Sequence, residues 1–344
     1  MSEPITIVGG GLAGLTLGIG LRQRGAPVTV WETGHYPRHR VCGEFISGRG
    51  QAALARLGLL EGLNRAGANA ATSAAFFTTN TKIAARPLPQ PAMCLSRFIL
   101  DDWLAREFQR LGGELRVGSR WAGEFAMGVV RATGHRAEPA DHGWRLFGLK
   151  VHAHGVALDA DLELHFLPAG YVGLCRLSGG EVNICGLFRS AVTVPDLAHR
   201  WLDWLRGPIG SVLHSRLVGA QLDNHSFCSV AGLSLQHQRA TDRSECCIGD
   251  ALTMIPPMTG NGMSMAFESA EIATPPLAKF SHGEMVWAEA QREIAQTCDT
   301  VFASRLRWAT WLQGALFFPP ARSFLLFLGA HSQFCWRGVF DRTR

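Results

Sequence analysis

The 344-residue chain contains no run of like charge. Its 33 basic and 28 acidic residues leave a net charge of +5, and the lysines and arginines are scattered, so no nucleic-acid-binding face is expected. None of its nine cysteines forms a C-x-x-C pair or a metal-ligand spacing with histidine. No metal site is therefore expected, and the thiols are read as reduced, in keeping with a cytoplasmic protein. The N-terminus runs directly into an apolar strand, so a secretory signal is not expected. There is no internal repeat and no low-complexity tract. Apolar runs are short: residues 308–321 and 323–336 carry no charge, but each is 14 residues against the roughly 20 that span a bilayer. They are read as a pair of buried helices closing a pocket. Their tryptophans and phenylalanines beside Arg305, Arg307 and Arg322 also admit a peripheral membrane contact.

At 47% hydrophobic and 18% charged residues, the chain can bury a sizeable core, and its length allows two domains. Residues 5–32 read ITIVGGGLAGLTLGIGLRQRGAPVTVWE. An apolar, β-branched strand at 5–8 meets a G-x-G-x-x-G set, Gly9, Gly11 and Gly14, which opens a helix at 12–24. A second strand at 28–31 ends on Glu32. Gly9 permits the tight turn, Gly11 admits a pyrophosphate to the backbone, and Gly14 lets helix and strand approach. The helix start supplies free N–H groups and a partial positive charge. Glu32 is placed to hold ribose hydroxyls and to repel a 2′-phosphate. This pattern implies a dinucleotide and names no reaction.

A second strand–turn–helix unit lies at 245–270, ECCIGDALTMIPPMTGNGMSMAFESA. Gly249 and Asp250 end a short strand, with Asp250 suited to hydroxyls of a sugar-like chain. Pro257, Gly260 and Gly262 precede a helix read as 261–273. Its N-terminal dipole suits the electron-rich edge of a flavin. Asn261 or Met263 would lie against the ring, with Gly260 and Gly262 removing side-chain bulk.

Together IVGGGLAG (7–14), Glu32, PRHRVCGEFIS (37–47), LSRFILDDWL (95–104) and GDALTMIPPMTGNGM (249–263) resemble FAD-dependent oxidoreductases of the para-hydroxybenzoate hydroxylase fold. Within that fold they are most similar to the geranylgeranyl reductase branch of flavin-dependent dehydrogenases. The resemblance covers roughly residues 1–280. It implies an α/β (α+β overall) protein: a Rossmann-like FAD-binding domain at 1–75, 94–140 and 231–280, and an inserted antiparallel β-sheet substrate domain at 76–93 and 141–230. A C-terminal helical region follows at 281–344. It also implies flavin contacts from Arg40, Gly43 and Arg97, and makes Cys42 a candidate active-site thiol, its pKa lowered by Arg38, His39 and Arg40. Asp101 is read as part of the helix rather than of the chemistry.

The chain departs from the hydroxylases at Thr133-Gly134, where they carry Asp-Gly. It lacks the Trp-x-Trp-x-Ile-Pro signature of the related halogenases, and it has no second G-x-G-x-x-G for a nicotinamide. The reading favours a reductase or dehydrogenase acting on a carbon–carbon bond of a hydrophobic small molecule. The alternative is an NAD(P)H- and O2-dependent monooxygenase on an aromatic or polyketide-like substrate, with NAD(P)H a transient reductant in either case. Residues 162–188 predict a hairpin turning at 178–181, which would set Cys175 opposite Cys185 if its loop has three residues. Tyr171 faces either substrate or core. His152 and His154 are expected on the solvent side of a strand, and Asp159 and Asp161 in solvated loops.

Overall fold

A computed structural model describes residues 2–135, 137, 143–191 and 197–342. Two sheets organise the described residues. The first is wholly parallel, in the spatial order Cys246–Cys247, Val129–Arg131, Ile5–Val8, Val28–Trp31, Glu114–Arg116. These strands are two to four residues long; the inner ones are largely apolar, as befits strands covered on both faces, while the edge strand Glu114–Arg116 is charged and exposed. Helix Leu12–Arg22 packs on this sheet and against helix Gly262–Ser281. Leu15, Leu17, Ile19 and Leu21 are fully buried, and each contributes up to about 1.5–3 kcal/mol. So much burial around one helix needs gaps between neighbours. A Cβ on Gly18 would come within 2.8 Å of the Phe108 ring, so Gly18 lets helix Arg97–Arg110 approach.

The second sheet runs Gln221–Leu233, Arg145–His154, Val182–Ser190, Gly170–Arg176, Leu162–Leu167, Asn69–Phe77, Lys82–Cys94, Phe45–Ile46. Its pairings are antiparallel except between Asn69–Phe77 and Leu162–Leu167, where the chain returns after a long excursion and joins in parallel. The sheet takes in residues from 69 onward and also Phe45–Ile46, where the sequence reading places the division after residue 75. The boundary expected at 140/141 lies outside the described residues. The hairpin turn at Ser178–Gly180 puts Cys175 opposite Asn183 and Cys185 opposite Gly173. The two thiols are therefore not cross-strand partners, and both are free.

Helix Gly262–Ser281 runs past the expected end at 273 and through Pro275 and Pro276. The C-terminal region is a 31-residue helix, Trp287–Phe317, then Pro319–His331 and Gln333–Arg342. Pro319 and Pro320 open the middle helix, where a missing N–H costs nothing. Leu312, Leu316, Leu325 and Trp336 from these helices line the cavity described below. The helices close that cavity with one face and leave the other in solvent: Leu312 and Leu316 are buried, whereas Trp311 is 54% and Phe334 87% exposed. None of the described helices is long and apolar enough to cross a membrane.

Candidate active site

A single cavity of about 1260 Å³ runs between the two sheets. Of the candidate catalytic and cofactor-binding residues read from the sequence, all but Gly14 and Asn261 line it. One end is formed by the glycine loop. Gly9 has φ +112°, and a Cβ there would lie 2.2 Å from the Ala132 carbonyl oxygen. A Cβ on Gly14 would lie 1.9 Å from the Gly9 carbonyl oxygen. Gly11 has nothing within 4 Å of its Cβ position. It opens the cavity at the start of helix Leu12–Arg22, where no side chain caps the N–H groups.

Glu32 is fixed before any ligand arrives. Its Oε2 accepts from Gly10 N at 2.9 Å, and its Oε1 accepts from Gly34 N at 2.8 Å and Arg38 Nη1 at 2.7 Å. Burial opposes ionisation, but the Arg38 hydrogen bond and charge and the two backbone donors prevail, and the carboxyl is pushed down to about 2. Tyr36 also folds onto the loop, donating from its hydroxyl to the Gly10 carbonyl, with the Arg38 guanidinium 4.8 Å from its ring centroid.

The 37–47 loop departs from the sequence reading at Arg38 and His39, which do not face Cys42. Arg38 serves Glu32, and His39 serves Lys150, its Nδ1 2.9 Å from Lys150 Nζ. Arg40 opens into the cavity. The cation beside Cys42 is Arg97, from helix Arg97–Arg110. Burial nevertheless pushes the Cys42 thiol above its ordinary range, with Arg97 pulling the other way. Cys42 is thus held as a thiol, not the activated thiolate expected from three neighbouring cations. Arg97 itself makes a bidentate pair with Asp101, Nε to Oδ1 at 2.6 Å and Nη2 to Oδ2 at 2.9 Å. Asp101, fully buried, positions that guanidinium at the cavity wall.

At the second fingerprint Asp250 is open to the cavity and otherwise enclosed by protein. Burial pushes its carboxyl up to about 6, against the pull of Arg97. A Cβ on Gly260 would strike the Phe45 ring at 2.1 Å, so this glycine, at φ +67°, makes room for Phe45 where the two line the cavity. Asn261 is fully buried and turned inward. Its Oδ1 accepts from Ser47 Oγ at 3.1 Å, and its Nδ2 donates to the Thr259 carbonyl at 3.3 Å. Of the two residues expected against the ring, only Met263 lines the cavity. Gly262 has nothing within 4 Å of its Cβ position. Pro257 opens the short turn Pro257–Thr259 on the same wall, beside Gly249 and Gly43.

The far end of the cavity is apolar, with Phe76, Leu164, Phe166, Tyr171 and Leu187 from the second sheet and Leu312 from the C-terminal helices. Tyr171 stands in both expected places: it is 7% exposed within the core and also lines the cavity. Sequence reasoning missed Glu44, Lys150 and His152. His152, expected on a solvent face, is 1% exposed with its Nε2 2.7 Å from Glu44 Oε2; His154 is exposed. Asp159 and Asp161 keep contact with solvent, as expected, and are anchored besides. Asp161 accepts from Thr72 N at 2.9 Å and Ser73 Oγ at 2.9 Å, and Asp159 pairs with Lys82 at 2.8 Å.

The two open glycine cradles, Gly11 and Gly262, lie in one cavity with carboxylates at two strand ends, Glu32 buried and Asp250 exposed to the cavity. That arrangement fits an elongated dinucleotide with its phosphates on the first helix start. A sequence-family profile described as an NAD(P)-binding Rossmann-like domain matches residues 7–45. No curated protein matches the chain. Among solved structures, p-nitrophenol 4-monooxygenase PnpA from Pseudomonas putida DLL-E4 aligns with a TM-score of 0.77 at 16% identity, covering 98% of each chain. The flavin-dependent brominase Bmp2 aligns at 0.73 and 16% identity, covering 98% of this chain and 92% of that one. The halogenase PltM, in complex with phloroglucinol and FAD, aligns at 0.73 and 15% identity, covering 99% and 83%. At these identities the likeness is one of fold: a Rossmann-like domain with a second sheet and C-terminal helices, as in flavin-dependent halogenases and monooxygenases.

Proposed function

We propose that the protein is a FAD-dependent oxidoreductase acting on a hydrophobic small molecule. The observation that carries this is the continuity of the cavity, which joins a glycine-lined dinucleotide end to an apolar chamber without a wall between them. The FAD bound in PltM supports the choice of cofactor, as does the room left at both glycine cradles. Gly11 and the helix start behind it would hold the pyrophosphate, and Asp250 and Glu32 would take hydroxyl groups. FAD, when bound, supplies two-electron redox chemistry. The chain's own residues do the rest. The start of helix Gly262–Ser281 offers N–H groups and a positive dipole end to an electron-rich ring edge. Cys42 keeps a proton at Sγ beside the cavity, and the phenylalanine and leucine walls exclude water from the substrate end.

A protonated thiol and the Cys42-Gly43-Glu44 loop favour reduction or dehydrogenation of a carbon–carbon bond. A monooxygenase is the second reading, favoured by the near-complete overlap with PnpA, whose substrate is a phenol. Chlorination is not favoured, since the Trp-x-Trp-x-Ile-Pro signature of the related halogenases is missing from the sequence.

The test is to load the protein with FAD, photoreduce it without oxygen and mix it with aerated buffer. A single-phase return of the oxidised spectrum is expected of the reductase. An added slow phase before that return would replace it by the monooxygenase. Failure to retain FAD would overturn both.

A further inference from the structure

Behind the 37–47 loop lies a line of charged groups to which the flavin reading above gives no part. Lys150, on strand Arg145–His154, is fully buried, its Nζ 2.9 Å from His39 Nδ1 and 3.4 Å from Glu44 Oε1. His152 lies two residues on and on the same face. Its Nε2 is 2.7 Å from Glu44 Oε2 and its Nδ1 3.1 Å from Glu181 Oε1. Glu181, at the hairpin turn, is 27% exposed, while His39 lines the cavity. Solvent and cavity are thus joined by five titratable side chains in which each is within reach of the next.

Structure alone gives little reason for this line. Burying a carboxylate with an ammonium costs several kcal/mol per ion, and apolar residues of similar volume often serve a fold as well or better. Glu44 adds a second cost. Its φ of +60° is the left-handed region, which carries about 1–3 kcal/mol of strain for a residue other than glycine. The carboxylate is held there by three partners: His152, Lys150 and the N–H of Arg97, which donates to Oε1 at 2.9 Å.

We propose that Glu181, His152, Glu44, Lys150 and His39 form a proton path between solvent and the cavity, which rests on the flavin reading above. A proton leaving Nε2 of His39 is replaced at Nδ1 from the Lys150 ammonium. Lys150 recovers a proton from Nε2 of the His152 imidazolium through the Glu44 carboxylate, which leaves His152 neutral with its proton at Nδ1; both rings then turn over, and the freed nitrogen of His152 takes up a proton from solvent through Glu181. One N–H bond breaks at the cavity, one O–H bond of solvent breaks at the surface, and no electrons move; uptake from the cavity runs the same steps backwards. The charges suit the task. Burial and the Lys150 charge push His39 down to about 4, so its Nδ1 is free to accept. Burial lowers the pKa of His152 but Glu181 and Glu44 outweigh it, so the ring is held above its ordinary value. The groups facing His152 are His39 and Glu44 from the loop, Lys150 from its own strand, Glu181 from the turn, and Asp223, its register partner on strand Gln221–Leu233.

Two measurements test the path, with Glu181→Gln as the peripheral variant and Lys150→Met as the central one. The first uses histidine-selective 15N NMR of the protein without flavin. Lys150→Met should raise the His39 pKa, and Glu181→Gln should lower that of His152. Unmoved titrations in Glu181→Gln would overturn the path even if Lys150→Met fails to fold. The second uses the FAD-loaded, photoreduced protein mixed with oxygen and a pH-indicator dye. Oxidation of the anionic reduced flavin by O2 to hydrogen peroxide consumes one proton. Dye and flavin signals should coincide in the wild type, and the dye should lag about tenfold in Glu181→Gln. Signals that still coincide in the variant overturn the path. If the protein retains no FAD, the flavin reading falls while the histidine titrations still decide the path.

Discussion

Arg38 Nη1 stands 2.7 Å from Glu32 Oε1, so the acid at the end of the second strand is neutralised by the loop that follows it. Glu32 is 5% exposed and would otherwise be a buried, unpaired charge. Its folded pKa of about 2 lies below the ordinary 4.5. The stabilisation is therefore fully present above pH 4.5 and is lost as pH falls through that value toward 2. After allowance for screening it is on the order of 2 kcal/mol. Arg38→Met should lower stability by about that amount in urea at pH 7, and the gap should shrink by pH 3. A gap of equal size at both values would assign the loss to packing against Tyr36 instead.

The three loop glycines separate binding from folding. A Cβ on Gly14 meets the Gly9 carbonyl at 1.9 Å, whereas one on Gly11 meets nothing within 4 Å. Gly14→Ala should cost about 1–3 kcal/mol through overpacking. Gly11→Val should leave the urea midpoint nearly unchanged and weaken FAD binding at least tenfold by fluorescence titration. If Gly11→Val binds FAD as the wild type does, the pyrophosphate does not lie over that glycine.

Cys42 supports a prediction on reactivity. Burial holds the thiol protonated above its ordinary range despite Arg97. Only the thiolate is nucleophilic, so iodoacetamide at pH 8 should label Cys42 at least tenfold more slowly than free cysteine. Peptide mapping of the labelled protein measures this. Labelling at the rate of free cysteine would restore the activated thiol that three neighbouring cations suggest in the sequence.

Those cations show which part of the site is legible in a sequence. Gly9, Gly11, Gly14 and Glu32 lie within one βαβ unit, where spacing along the chain fixes spacing in space, and their placement follows from the pattern. The 37–47 loop has no such constraint. Its charges are shared out among Glu32, 6 residues from Arg38, and Lys150, 111 residues from His39. Glu44 and His152 lie 108 residues apart and meet only because strand Arg145–His154 passes behind the loop. The alternation of residues 151–154 correctly separates two faces of that strand but does not tell which face the loop will cover. Gly260 makes the same point: a glycine before a helix suggests room for a ligand, and only the fold shows Phe45 packed against it at the cavity wall.

Tyr171 provides the last test, because its hydroxyl is buried with no hydrogen-bond partner among the described residues. Burial also pushes its pKa well above the ordinary value, so the group stays neutral. An unsatisfied buried hydroxyl costs about 1–3 kcal/mol, and phenylalanine fills the same volume without it. Tyr171→Phe should therefore stabilise the ligand-free protein, by on the order of 1 kcal/mol in urea. The surrounding Leu146, Phe166, Leu187 and Leu233 are apolar and would pack on either ring. A substrate whose polar group reaches the hydroxyl would reverse the sign, since it would gain a hydrogen bond that only tyrosine offers. Screening aromatic and isoprenoid compounds for thermal shifts against both proteins would then separate the classes. A compound that stabilises the wild type more than the variant reaches Tyr171, and equal shifts mark binding by the apolar walls alone. A loss of stability in ligand-free Tyr171→Phe would mean that the hydroxyl already has a partner, such as an ordered water, and is part of the wall rather than open to substrate.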